Sequence, residues 1–285
     1  GLPAGLINIV LGDGAVTGNA ITGHPDIAKV SFTGSTVAGS AIMANIAHSG
    51  VKPMTLELGG KSPQLVFADA DLDKAALVIS QGIIANAGQA CVAGSRLIVE
   101  ESIAADLAEA IIARMKLVKA TPTWDETAEY SPIISKRQLD RIHGIVASAV
   151  SAGDECLFGG APMDAPGYFY RPTLIAVRDG SSPALTEEIF GPVLTLQTFS
   201  DEEEALALAD HPTYGLAAGL FTRDLSRALR VTRHLQAGTI WVNRYGRSRD
   251  HILPTGGYKQ SGIGKDLGRE AYLANRKSKS VLISL

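Results

Sequence analysis

The sequence predicts an α/β fold with largely parallel sheets. Two patterns carry that prediction. Short apolar runs alternate with helical apolar patterns along the whole chain, and one such run passes through a glycine turn straight into a helix N-terminus. With 285 residues, 46% hydrophobic and 19% charged, the chain can bury the core of one large or two ordinary domains. The net charge of −3, with no dominant basic patch, argues against a nucleic-acid partner. No apolar run reaches membrane-spanning length and no signal peptide is seen. The two cysteines, Cys91 and Cys156, form no CxxC motif, and the six histidines are scattered. A disulfide scaffold and a metal site are therefore not expected, and a reducing, cytoplasmic setting is.

Taken in order, residues 6–10 read as a buried strand. The chain reaches that run almost at once and without an initiator Met, which reads as the inside of a domain, so a fragment is expected. Residues 18–22 can form a short helix and 29–33 a second strand. Gly34-Ser35-Thr36-Val37-Ala38-Gly39 then opens a helix that runs to His48. A strand, a glycine turn and a helix start make an anion site, because unpaired N–H groups and the positive end of the helix dipole face the ligand. The spacing is not GxGxxG, and a plain tight turn explains it equally well.

Residues 54–61, Met-Thr-Leu-Glu-Leu-Gly-Gly-Lys, form an apolar strand with a carboxylate, Glu57, in the middle. A charge there is costly unless paired or protonated. Two readings stand: a salt bridge to Lys61 or a solvated edge, and a carboxyl with raised pKa suited to general-base work. Asp71 caps a helix over 72–85. A strand follows at 97–99, and Ser102 caps a long helix through Lys119, stopped by Pro122. Residues 136–150 are helical and carry Gln138 and Arg141 one turn apart. A short strand falls at 156–158, with Cys156 read as structural. Residues 168–174 are extended, and Glu187-Glu188-Ile189-Phe190-Gly191-Pro192 is a turn whose carboxylates beside an aromatic suit a ligand edge or a capped loop. Then come a strand at 193–199, a capping box of Ser200 with Glu203 for a helix over 201–209, a strand at 219–222, a helix over 224–237 closed by Gly238, and a strand at 239–243. A cationic loop, 244–255, precedes Gly256-Gly257, and the tail 279–285 is an apolar strand.

The stretch 86–96 holds the chemistry. Cys91 sits in a Gly- and Ala-rich crossing between a helix and a strand, where small neighbours leave its sulfur accessible. Such a cysteine is a nucleophile if its pKa is lowered or a base stands nearby; otherwise it is a buried structural thiol.

Glu57-Leu58-Gly59-Gly60-Lys61, then Gly88-Gln89-Ala90-Cys91, then Glu188-Ile189-Phe190-Gly191-Pro192, in that order and at those intervals, resemble the NAD(P)-dependent aldehyde dehydrogenase superfamily. So does Phe32-Thr33-Gly34-Ser35-Thr36. The resemblance covers almost all of the chain but not the long N-terminal portion of such enzymes. It implies an aldehyde-dehydrogenase-like α/β fold: part of a Rossmann-type coenzyme domain at 1–59, a catalytic domain at 60–258, and a return segment with an oligomerisation strand at 259–285. It implies that Cys91 attacks the aldehyde to give a thiohemiacetal and then a thioester, and that Glu57 activates the hydrolytic water. NAD or NADP is the implied cofactor. Glu188 is implied to hold the nicotinamide ribose with Phe190 beside the ring, and Gly34, Ser35, Gly39, Leu58, Gly59, Gln138 and Arg141 to lie along the coenzyme. Arg141 stands where many members carry Lys. The tail implies a homodimer or tetramer.

Two departures from the family's pattern bear on the aldehyde. Thr255 replaces an aromatic before Gly256-Gly257, and the loop Arg244-Tyr245-Gly246-Arg247-Ser248-Arg249-Asp250-His251 is rich in cations. An anionic or polar aldehyde is one reading. Arginines that face solvent or a sister subunit are the other. Three functional readings compete: a hydrolytic aldehyde dehydrogenase, an acylating enzyme that passes the acyl group to coenzyme A, and a truncated chain that is only a folded remnant or subunit partner. Glu57 speaks against the second, and the missing N-terminal portion for the third.

Overall fold

A computed structural model describes residues 1–246 and 252–285. A turn of π-type at Gly14–Gly18, capped by Asp13, leads into the short helix α1 (Asn19–Thr22). Strand β1 (Val30–Thr33) feeds α2 (Thr36–Ser49), and β2 (Met54–Glu57) lies parallel to β1. Next come β3 (Pro63–Val66), α3 (Leu72–Ile84), β4 (Arg96–Glu100) and α4 (Ala104–Met115). After α5 (Lys136–Ser151) the chain forms β5 (Glu155–Phe158), β6 (Thr173–Ala176), the one-turn α6 (Pro183–Thr186), β7 (Val193–Phe199) and α7 (Glu202–Ala209). The last part holds β8 (Tyr214–Gly215), β9 (Ala217–Phe221), α8 (Leu225–His234), β10 (Thr239–Val242), β11 (Tyr258–Lys259), β12 (Gly262–Ile263) and α9 (Gly268–Ala274).

Seven strands form the main sheet in the order β10-β9-β3-β4-β7-β6-β5, parallel except for the edge strand β5. Its centre is buried on both faces, so its strands are largely apolar, with Gln64, Arg96, Thr173 and Thr195 as buried polar exceptions. Alternation still sorts the side chains. Val66, Leu97 and Val99 pack with Ile79 and Ile83 of α3 and Leu107 and Ile111 of α4. Leu65 and Ile98 point the other way, onto Ala205 of α7 and Ala228 and Val231 of α8. A further cluster joins Ile142 and Val146 of α5 to Ile175 and Val193. The second sheet, β1-β2-β12, is small, and its β12 returns antiparallel to β2 from near the C-terminal end.

The structure corrects several expectations. Residues 6–10 are not a buried strand but exposed coil, with Ile9 83% exposed, because no described strand lies beside them to complete a ladder. The tail 279–285 is likewise irregular and exposed. Strand β3 was not expected; it starts on Pro63, whose missing N–H suits a strand's first residue, and Gln64 breaks its apolar run. Ser102 does not cap α4. It lies in a 3-10 turn, Glu101–Ile103, and the helix ends at Met115 rather than Lys119. Asp201, not Ser200, caps α7, accepting from Glu204 N–H, while the Glu204 carboxylate accepts from Ser200 N–H at 2.8 Å. Helix α8 ends at His234, ahead of Gly238.

His211 is a buried pH-sensitive pin beside β8. Its Nδ1 accepts from Thr213 N–H (3.0 Å) and Tyr214 N–H (3.2 Å), and its Nε2 lies 3.3 Å from the Leu185 carbonyl. Burial, then the Arg96 charge, lowers its pKa from 6.5 to about 4. Between those values the unfolded state binds the extra proton, so stability falls as pH drops from 6.5 towards 4. Urea midpoints across that range should show the slope in the parent chain and a shallower one in His211→Gln.

Candidate active site

Four backbone crossings meet at one place. In the first, β1 leaves the small sheet through Gly34, whose N–H donates to the Glu57 carbonyl at 3.0 Å. Ser35 then caps α2, its Oγ accepting from Ala38 N–H at 3.2 Å. Helix α2 settles on Leu58 through Gly39, where a Cβ would stand 2.7 Å from Leu58 Cδ2. In the second crossing, β2 ends at Glu57 and gives way to Leu58, Gly59 and Gly60. The third is the run to Cys91. Asn86, Ala87 and Gly88 all have positive φ (51°, 50° and 69°), and Cys91 then occupies a turn closed by Ala93 N–H on the Ala90 carbonyl at 2.9 Å. Gln89 anchors that run, with Nε2 on the Pro132 carbonyl (3.1 Å) and Oε1 on Ile134 N–H (2.8 Å). The fourth is the turn at 187–192.

The double glycine is where these crossings touch. A Cβ on Gly59 would lie 2.3 Å from Glu188 Oε2, and one on Gly60 would lie 2.5 Å from the Cys91 carbonyl oxygen. Only residues without side chains let the carboxylate and the cysteine turn approach the same strand end. Gly60 N–H donates to Glu188 Oε1 at 3.0 Å. Burial raises the Glu188 pKa, and Gly60 N–H, Lys61 and Arg141 oppose that rise. Gln138 and Arg141, one turn apart on α5, hold the 188–190 turn from behind. Gln138 Nε2 donates to the Ile189 and Phe190 carbonyls, and Arg141 to those of Glu188 and Ile189, all at 2.9–3.1 Å. They fix Phe190 at φ 52°, a left-handed conformation costly for a side-chain-bearing residue.

Around these crossings lies a cavity of about 810 Å³. Its wall includes Gly34, Ser35, Gly59, Cys91, Gln138, Arg141, Glu188 and Phe190 from the sequence reading, and Thr33, Val37, Gln89, Ala90 and Val92, to which that reading gives no role of their own. Gln89 carried a signal, standing two residues before Cys91; the apolar lining carried none. Leu58 and Gly39 are not in the wall; they pack on each other. Glu57 is also outside it, 4% exposed at the end of β2, with a Cβ on Gly256 falling 3.1 Å from its Oε1. Its reading as a partner of Lys61 fails, since Lys61 Nζ has no hydrogen-bond partner among the described residues. Lys61 is buried, and desolvation, then the Arg96 charge, lowers its pKa to about 7.

Cys91 is a half-buried thiol facing the cavity. Cys156 is half-buried elsewhere, its Sγ 3.4 Å from the Phe158 carbonyl, and burial pushes its thiol pKa up, as fits a structural role. Thr255 is buried and bridges to Asp266 through paired backbone bonds of 2.7 Å. Of the cationic loop, Arg247, Ser248, Arg249, Asp250 and His251 lie outside the described residues. Among the described residues no group of His, Cys, Asp and Glu could hold a metal ion, and no helix is long and apolar enough to cross a membrane.

The cavity suits a dinucleotide. It runs from a capped helix N-terminus, whose first N–H groups favour a phosphate, to a carboxylate able to accept from ribose hydroxyls. An accessible thiol stands on the same wall.

Comparison with known proteins gives a consistent picture. The sequence pattern of the aldehyde dehydrogenase family matches residues 1–281. An aldehyde dehydrogenase of Davidiella tassiana is 43% identical over 286 residues, which is 100% of this chain and 57% of that protein. The cytosolic 10-formyltetrahydrofolate dehydrogenase of Xenopus tropicalis is 40% identical over 99% of this chain and 32% of its own length. The NAD+ complex of an aldehyde dehydrogenase from Bacillus cereus superposes with a TM-score of 0.93 at 39% identity, covering 96% of this chain and 55% of that one. The chain thus spans between about a third and somewhat over half of the relatives it matches.

Proposed function

The chain belongs to the aldehyde dehydrogenase family, and from that premise we propose that it is the catalytic part of an enzyme oxidising an aldehyde to a carboxylic acid with NAD or NADP. The observation that carries the proposal is the placement of Cys91 and Glu188 on the wall of one cavity that opens at the N-terminus of α2. Gly34 and Ser35 would face the phosphates, and Glu188 the nicotinamide ribose with Phe190 beside it. Gln138 and Arg141 would act by holding the Glu188 turn as well as by lining the cavity. The dinucleotide, when bound, supplies the hydride acceptor.

The chain's own residues do the rest. The Cys91 thiolate adds to the aldehyde carbon, forming a C–S bond and a thiohemiacetal. Loss of hydride from that carbon, with loss of the hydroxyl proton, leaves a thioester on Cys91. Water activated by Glu57 hydrolyses it, releasing the acid and restoring the thiol. The backbone N–H of Cys91 is one donor to the oxyanion. A thiolate is both a strong nucleophile and a good leaving group, so one hard oxidation becomes two easier steps.

The reading divides the chain at 59 and 258, with 1–59 as part of the coenzyme domain, 60–258 as the catalytic domain and 259–285 as the return segment. The separation of β1 and β2 from the main sheet supports it, as does the return of β12 to β2. The exposed apolar residues Val281, Leu282 and Ile283 support a homodimer or tetramer in which the tail gains a strand partner. The absence of a disulfide scaffold favours a cytoplasmic setting.

The test is to trap the acyl group. The purified chain is mixed with an aldehyde and NAD or NADP, quenched in acid and digested. An added acyl mass on the Cys91 peptide, and none on the Cys156 peptide, is expected. Aldehyde-dependent coenzyme reduction that persists after Cys91 has been alkylated would overturn the proposal.

A further inference from the structure

The turn that presents Cys91 is pinned at two carbonyls just beyond it. Tyr245, three residues beyond the end of β10, donates its hydroxyl to the Val92 carbonyl at 2.8 Å. Gln64, fully buried in β3, donates Nε2 to the Gly94 carbonyl at 3.1 Å. Gln64 belongs to a strand of the main sheet and Tyr245 to the segment just after one, whereas the loop itself is built from small residues and three left-handed ones. Gln89 anchors the run before Cys91, and these two contacts fix it after Cys91.

The Tyr245 ring is fitted to its place. A Cβ on Gly219 of β9 would lie 2.8 Å from ring Cδ2, and one on Gly82 of α3 would lie 3.2 Å from Cδ1. The ring also meets Trp241 edge-on, with centroids 4.9 Å apart. Two glycines thus leave a slot that the ring fills, and the slot aims the hydroxyl at the residue after Cys91. Gly94 plays the same part for Gln64, since a Cβ there would lie 2.2 Å from Nε2. Desolvation pushes the Tyr245 phenol far up, so its hydroxyl stays a proton donor at any working pH.

We propose that Tyr245 is a positioning residue for Cys91, holding the Val92 carbonyl so that the turn presents the sulfur and the Cys91 N–H together, with Gln64 as the second pin. The proposal rests on the reading of Cys91 as the nucleophile. Attack on a carbonyl needs both groups aligned at once: sulfur on the carbon and N–H on the developing oxyanion. Alkylation of the same sulfur needs only the thiolate.

That difference gives the experiment. The parent chain and Tyr245→Phe are assayed for hydrolysis of p-nitrophenyl acetate, in which the thiolate adds to the carbonyl, nitrophenolate leaves and water releases acetate. Alkylation of Cys91 by iodoacetamide is followed in parallel by peptide mass, with Cys156 as internal reference. Tyr245→Phe is expected to lower kcat for ester hydrolysis about 10- to 100-fold with KM within about two-fold. Cys91 alkylation should stay within about two-fold of the parent. Tyr245→Leu, which also empties the slot, should in addition lower the melting temperature. Unchanged ester hydrolysis in Tyr245→Phe would overturn the proposal. So would a fall in hydrolysis matched by equal changes in alkylation and melting temperature, which is the mark of a merely structural contact. Ester hydrolysis that survives Cys91→Ala would instead sink the nucleophile reading, and the proposal with it.

Discussion

Cys91→Ala is expected to lower aldehyde-dependent coenzyme reduction at least about 1,000-fold, while coenzyme affinity, read by fluorescence titration, stays within about two-fold. The magnitude follows from what the sulfur does. Without the thiohemiacetal the carbon must give up hydride as a free or hydrated aldehyde, with no covalent anchor to hold it at the right distance. A thousand-fold loss corresponds to about 4 kcal/mol of transition-state stabilisation, well within what a covalent nucleophile supplies. The fold should be unaffected. Cys91 is only half-buried, and its turn is closed by the backbone bond from Ala93 N–H to the Ala90 carbonyl and by Tyr245 on Val92. The proposed coenzyme contacts lie on Gly34, Ser35 and the Glu188 turn, which the substitution does not touch. Residual turnover above about one part in a hundred would mean that the reaction does not pass through a Cys91 adduct.

Much of this site could be read from sequence because its chemistry and its local geometry use the same residues. Ser35 and Asp71 are caps, and both were read as openings of helices that form there. Cys91 and Glu188 stand in turns that carry Gly88 and Gly191, and the bare strand end at Gly59 and Gly60 is what allows both turns to approach it. What escaped were features fixed by distant parts of the chain. Tyr245 touches Val92 across more than 150 residues, and nothing in its own neighbourhood announces that contact. Strand β3 is defined by β4 and β9 on either side rather than by its own sequence, which opens with Pro and Gln. Residues 6–10 and the tail have one feature in common: an apolar run becomes a strand only where a ladder partner exists, and neither segment has one among the described strands. Glu57 lies behind the strand end at Gly59 and Gly60, outside the cavity wall that holds Cys91. Its proposed part in catalysis is read by the rate of thioester hydrolysis, which Glu57→Gln is expected to lower.

Gly88→Ala should destabilise the chain by about 2–5 kcal/mol and weaken coenzyme binding at the same time. Two costs combine. Gly88 has φ 69°, where a Cβ costs roughly 1–2 kcal/mol. That Cβ would also stand 2.1 Å from the Gly191 carbonyl oxygen and 2.8 Å from Pro192 N, both backbone atoms that no rotamer change can move. Overpacking of this kind costs typically about 1–3 kcal/mol. The opposing turn has no room to retreat, because a Cβ on Gly191 itself would meet Ile142 Cδ1 at 2.5 Å. The strain therefore has to part the Cys91 run from the Glu188 turn, which are the two walls of the cavity. Gly144→Ala provides the control. Gly144 is exposed in the middle of α5 with open space where its Cβ would go, so the same chemical change should stabilise that helix by about 1 kcal/mol. Urea midpoints for both variants read the two signs directly. If Gly88→Ala matched the parent in midpoint and in coenzyme affinity, the close approach of the two turns would not exist in solution, and the cavity they enclose could not have the shape on which the proposed chemistry depends.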